Sequence, residues 1–106
     1  MWQHSRELCT EIYTTTALFP DNEKFGLTNQ LRRACISIPS NIAEGSSRNS
    51  NKDFSRFIEI AIGSAYKIET QLLISHDLKL IPEDKLQLLI QKLDVITRMM
   101  LNFKKI

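Results

Sequence analysis

Phe54-Ser55-Arg56-Phe57-Ile58-Glu59-Ile60-Ala61-Ile62-Gly63-Ser64-Ala65-Tyr66-Lys67-Ile68-Glu69-Thr70-Gln71-Leu72 decides the fold. Phe54, Ile58, Ala61, Ala65, Ile68 and Leu72 alternate spacings of four and three, which is a heptad seam along one helix with small residues in its middle. Just upstream, Ser50-Asn51-Lys52-Asp53 reads as a capping box that opens this helix, with the Asp53 carboxylate near its positive end. Downstream, residues 77–81 make a short connection. Pro82-Glu83-Asp84 then opens another helix, proline near the first position and acid in the first turn. Leu86, Leu89, Leu93, Ile96, Met100 and Phe103 form its seam, and Lys104-Lys105 sit at its negative end.

Two more helices precede these. Over 27–46, Leu31, Ala34, Ile38 and Ile42 share one face, and Gly45-Ser46-Ser47 supplies the stop. Pro39 has no N–H to give the carbonyl of Cys35, so a kink or a break is expected there. Over 3–18, Leu8, Ile12 and Thr15 share a face with Cys9, Tyr13 and Thr16 beside it. Thr14, Thr15 and Thr16 are weak helix formers, and Phe19-Pro20-Asp21-Asn22 ends the segment. The expected fold is all-α: residues 1–106 as a single antiparallel up-down four-helix bundle with short loops.

Composition agrees. A chain of 106 residues with 42% hydrophobic and 25% charged residues is globular rather than disordered. Three glycines and three prolines are too few for a turn-dense sandwich or barrel. Fourteen Lys+Arg against 12 Asp+Glu give +2, mildly basic and unlike a histone. Cys9 and Cys35 form neither a CxxC nor a second pair, which leaves no zinc knuckle or redox motif; they read as small hydrophobes. His4 and His76 lack metal-motif partners, Gly26, Gly45 and Gly63 are isolated, and no GxSxG occurs. The expectation is no enzyme, no metal and no cofactor. With no signal-type apolar segment and no apolar run approaching ~18 residues, a cytoplasmic protein with reduced thiols and no membrane partner is expected.

Function must then be sought on the surface. Phe57-Ile58-Glu59-Ile60-Ala61-Ile62 is apolar nearly all round its helix, and Leu72-Leu73-Ile74 repeats this further on. A second apolar face points to another subunit, with Phe57, Ile60, Ile62 and Leu73 at the interface; the alternative is a wide core stripe. Residues 24–56 carry six bases and two acids, whereas residues 1–23 carry one base and four acids. Arg32, Arg33, Arg48, Lys52 and Arg56 are accordingly candidate phosphate contacts, against the alternative of a solvated surface. Arg33, Ser37, Asn41 and Glu44, spaced 4-4-3, form a polar stripe read as structural, fixing packing or subunit register, rather than as a ligand site.

Leu27-Thr28-Asn29-Gln30-Leu31-Arg32-Arg33-Ala34, running into Ser37-Ile38-Pro39-Ser40-Asn41-Ile42-Ala43-Glu44-Gly45, resembles the signature of the four-helix-bundle proteins encoded in 23S rRNA intervening sequences. Arg48, Phe54, Arg56, Phe57, Ala61, Gly63-Ser64-Ala65 and Glu69-Thr70-Gln71-Leu72 continue it over almost the whole chain. The resemblance implies an up-down bundle that assembles into a ring-like homo-oligomer, a barrel-like homopentamer, with no catalytic activity established for the family. Its members are similar to the accessory protein of diversity-generating retroelements, a basic pentamer that binds nucleic acid and a reverse transcriptase. The implied partners are therefore copies of the chain itself, RNA or DNA, and a reverse transcriptase or other protein. At +2 this chain departs from the strongly basic relatives. Two functions stand open: a non-enzymatic homo-oligomer contacting RNA backbone with low sequence specificity, or an oligomeric protein-interaction scaffold with no nucleic-acid ligand.

Overall fold

A computed structural model describes residues 1–104. Four helices account for most of them: α1 (Trp2–Thr16), α2 (Leu27–Ser46), α3 (Asn51–Asp77) and α4 (Glu83–Lys104), with a single 3-10 turn at Asp21–Glu23. Each begins and ends close to where its signals lie. The Ser50 hydroxyl accepts the Asp53 N–H at 3.1 Å and so caps α3. Glu83 and Asp84 occupy the first turn of α4. Lys104 pairs with Glu59 on α3 at 3.1 Å, and Lys105 lies outside the described residues.

The weak end of α1 is stabilised locally. Thr14, Thr15 and Thr16 each donate their hydroxyl to the carbonyl four residues back, at 2.7–2.9 Å. The three threonines thus stay helical, and α1 stops at Thr16 rather than Leu18.

Pro39 does not break α2, which runs unbroken through it. The carbonyl that the proline strands is that of Cys35, and the Cys9 thiol of α1 donates to it at 2.9 Å. Cys9 is therefore more than a small hydrophobe: it supplies from a neighbouring helix the hydrogen bond that Pro39 removes. The Cys35 thiol lies beside it. Its interaction with the Cys9 side chain and then burial push its pKa up, so it stays protonated.

The core follows the seams. Leu8 and Ile12 of α1, Leu31 and Ile38 of α2, Ile58, Ile68 and Leu72 of α3, and Leu89, Ile96 and Met100 of α4 are fully buried. Each such side chain contributes about 1.5–3 kcal/mol on leaving water. Ala61 and Ala65, also buried, leave room for α2 and α4 to close on α3. Sequence order reverses across each contact: Cys9 meets Cys35 while Thr16 meets Arg32. Likewise Ser37 meets Ser64 while Gln30 meets Gln71, and Glu59 meets Lys104 while His76 meets Glu83. Between α1 and α4, Glu11 accepts from both Lys85 and Lys92, at 3.0 and 2.9 Å. No helix among the described residues is long and apolar enough to cross a membrane.

Candidate nucleic-acid interface

The end of α2 and the start of α3 meet at Gly45. A Cβ placed there would stand 2.9 Å from the Phe57 Cβ and 3.0 Å from the Phe54 ring, so glycine permits the close approach that positions residues 47–50. Phe54 in turn packs on Phe103 of α4, ring centroids 4.7 Å apart. On this closed end sit Arg48, Lys52 and Arg56. Arg48 is held: its guanidinium lies 5.0 Å from the Phe57 ring centroid and binds the Glu44 carboxylate at 2.6 Å. Lys52 and Arg56 are exposed, and among the described residues they make no ion pair.

Arg32 and Arg33 are not brought to that end. They lie fifteen or more residues before Arg48, about 22–24 Å along the helix at 1.5 Å per residue. They also part from each other, because neighbours on a helix diverge by about 100°. Arg32 turns to α1, where its Nε donates to the Thr16 hydroxyl at 2.8 Å and its Nη2 to the Tyr13 carbonyl at 3.2 Å, over the Tyr13 ring. It ties down the last turn of α1, a position that favours a cation. Arg33 faces the other way, into a groove of about 510 Å³ between α2 and α3 that it shares with Lys67, Gln30, Ser37, Ser64 and Gln71.

The polar stripe also divides. Ser37 accepts from Asn41 Nδ2 at both its carbonyl and its hydroxyl, at 2.7 and 3.0 Å, and from the Ser64 hydroxyl at 2.9 Å. Ser37, Asn41 and Ser64 thus link α2 to α3, with Arg33 on the groove that Ser37 and Ser64 also line, while Glu44 leaves the stripe for Arg48.

Of the four residues expected at a subunit interface, Ile60 and Leu73 are about half exposed and Phe57 is half-buried beneath Arg48. Ile62 is a correction: it is buried in the chain's own core. Residues two apart on a helix point about 200° apart, so Ile60 and Ile62 cannot both face outward. Tyr66, missed in the sequence, is exposed instead, as is Ile74, which belongs to the second apolar run but was not among the four. Lys67 was missed as well, lying far in sequence from the basic cluster. Its signal is the spacing 52, 56, 63, 67, which puts it on the Lys52–Arg56 face. Among the described residues, no group of three or more His, Cys, Asp or Glu side chains gathers where a metal ion could be held.

Comparison with known proteins places this arrangement. A protein of unknown function from the S23 ribosomal protein family of Bacteroides thetaiotaomicron, known from its crystal structure, has the same fold. It aligns with a TM-score of 0.90 at 22% identity, over 99% of this chain and 95% of that one. Comparison with curated proteins gives no match. The family model described as 23S rRNA-intervening sequence protein matches residues 1–102, and the chain therefore belongs to that family.

Proposed function

We propose that the protein is a non-enzymatic, RNA-binding homo-oligomer. Its protomers are antiparallel up-down bundles whose α2–α3 end contacts the sugar–phosphate backbone with low sequence specificity. The observation that carries this reading is the pair Lys52 and Arg56. Both are exposed, neither has an ion-pair partner among the described residues, and they follow Arg48 on the first turns of a capped helix. Cations left without carboxylates at a helix N-terminus are the groups that phosphate oxygens seek. Arg48 adds a guanidinium fixed by Phe57, with Glu44 as the counter-charge a phosphate would displace. Arg32 leaves the contact set, since two of its five N–H donors and the face of its guanidinium are held against α1, far from the α2–α3 end.

Half-exposed Ile60, Leu73 and Ile74 on α3 support self-association, which repeats the basic end once per subunit and lets weak contacts act together on one strand. A pentameric ring is the assembly we favour. The scaffold reading rests on the same apolar positions and requires no nucleic acid. A polarisation titration of a labelled single-stranded RNA at low and high salt, on samples whose mass is read by light scattering, tests both parts. Binding that weakens steeply with salt, by particles several times 12.3 kDa, is the expected result. No binding even at low salt refutes the RNA reading and leaves the scaffold; a mass of one chain refutes the oligomer.

A further inference from the structure

Two hydrogen bonds cross the seam between α2 and α3: Ser64 to Ser37 at 2.9 Å, and Gln71 to Gln30 at 3.1 Å. They stand seven residues apart on each helix, about 10 Å along the axes, and fix the register between them. That register sets Arg33, one turn from Gln30, opposite Lys67, one turn from Ser64. Cation therefore faces cation. Both are exposed, and among the described residues neither has an ion-pair partner. No carboxylate lines the groove of about 510 Å³ that they share. The two charges repel each other until an anion comes between them.

The hydrogen bonds that bound the groove are themselves incomplete. Ser37 Oγ accepts from both Asn41 Nδ2 and the Ser64 hydroxyl. Whichever way the bond between the serines runs, one of their two hydroxyl protons has no acceptor among the described residues. At the other end, Gln71 Oε1 is buried without a donor. An unspent proton beside two cations suits an anionic oxygen, and an unpaired amide oxygen suits a hydroxyl. Asn29 and Gln30 extend the amide end, and no aromatic side chain lines the groove, so nothing there stacks a base. Its volume lies within the range of small-molecule sites, about 300–1,000 Å³.

We infer that the α2–α3 groove binds a small phosphorylated sugar. Its phosphate sits between Arg33 and Lys67 at the serine end, and its hydroxyls lie toward Asn29, Gln30 and Gln71. A phosphate monoester carries about −1.5 to −2 at neutral pH, which matches two facing cations, whereas each diester phosphate of RNA carries about one charge. The site is separate from the Arg48–Arg56 end and does not require that end to bind RNA.

Calorimetric titration at low salt with ribose 5-phosphate, inorganic phosphate and neutral ribose tests it. Ribose 5-phosphate should bind saturably, one per chain, with inorganic phosphate weaker and ribose silent. Arg33→Ala and Lys67→Ala should each weaken that binding roughly tenfold or more, the scale of one charge-assisted hydrogen bond. The double variant should melt no lower than wild type without ligand, because it removes a repulsion, and should keep its particle mass. Asn29→Ala/Gln30→Ala, at two exposed positions, should erase the preference for the sugar phosphate over inorganic phosphate. No saturable binding at millimolar ribose 5-phosphate, or wild-type affinity in the double variant, overturns the site. Equal affinity of the wild type for inorganic phosphate overturns the sugar assignment. A changed particle mass in the double variant gives the facing cations to an interface between copies and overturns the ligand. Displacement of ribose 5-phosphate by RNA lacking terminal phosphates gives the groove to nucleic-acid backbone and overturns it too. Loss of RNA binding on replacing Arg48, Lys52 and Arg56, with ribose 5-phosphate still bound, supports two separate sites.

Discussion

Replacing Cys9 by alanine removes the donor that reaches the Cys35 carbonyl at 2.9 Å, the carbonyl that Pro39 leaves without its helical partner. Cys35 is buried, so water cannot easily take the thiol's place. An unsatisfied buried carbonyl costs about 1–3 kcal/mol, and because a thiol is a weak donor the lower half of that range applies. For a chain of this length, each kcal/mol lowers Tm by roughly 4–8 °C. The cost alone would not identify its cause, but a double-mutant cycle does. Pro39→Ala restores a backbone N–H four residues after Cys35, so in that background Cys9→Ala should cost about 1 kcal/mol less than in the wild type. The assay is urea denaturation of the four proteins at one fixed protein concentration, since self-association shifts apparent stability. Additive costs, within about 0.5 kcal/mol, would refute the reasoning and leave Cys9 as ordinary packing.

Gly45→Ala should destabilise by about 1–3 kcal/mol, read by thermal melting, because its Cβ would stand 2.9 Å from a Cβ of α3 rather than against a flexible side-chain end. The Lys92 and then the Lys85 ammonium, both hydrogen-bonded to Glu11, hold its carboxyl below the usual carboxylate range. With the folded pKa depressed, that stabilisation is complete above the unfolded value and fades as pH falls through the folded one. Glu11→Gln should therefore cost about 1 kcal/mol at neutral pH, and the gap to wild type should close in acid; a gap independent of pH contradicts the ion-pair account.

The helices were legible because their signals are local. The seam of α3, the Ser50 cap and the acidic first turn of α4 are fixed by neighbours a few residues away, and the chain folds as they specify. Pro39 shows where local reading stops. The stranded Cys35 carbonyl could be inferred from spacing, but its replacement donor comes from another helix, 26 residues away. Arg32 and Arg33 show the same boundary. Adjacent in sequence, they were grouped by charge, whereas the helical rotation between them sends one to α1 and the other to the α2–α3 groove. Ile60 and Ile62 repeat the lesson on α3, since an apolar run hides which member turns inward until the partners of its helix are known. The Glu44–Arg48 pair, by contrast, is an i,i+4 contact that sequence spacing allows but that the stripe reading assigned elsewhere.

The central claim is that the α2–α3 end binds nucleic-acid backbone, and it stands or falls on Arg48→Ala/Lys52→Ala/Arg56→Ala. None of the three side chains lies in the buried core, so the triple variant should keep its helical circular dichroism and its particle mass. In a polarisation titration with labelled single-stranded RNA, the account predicts that low-salt binding by the wild type is abolished and the salt dependence flattened. Equal binding by the two proteins would contradict it.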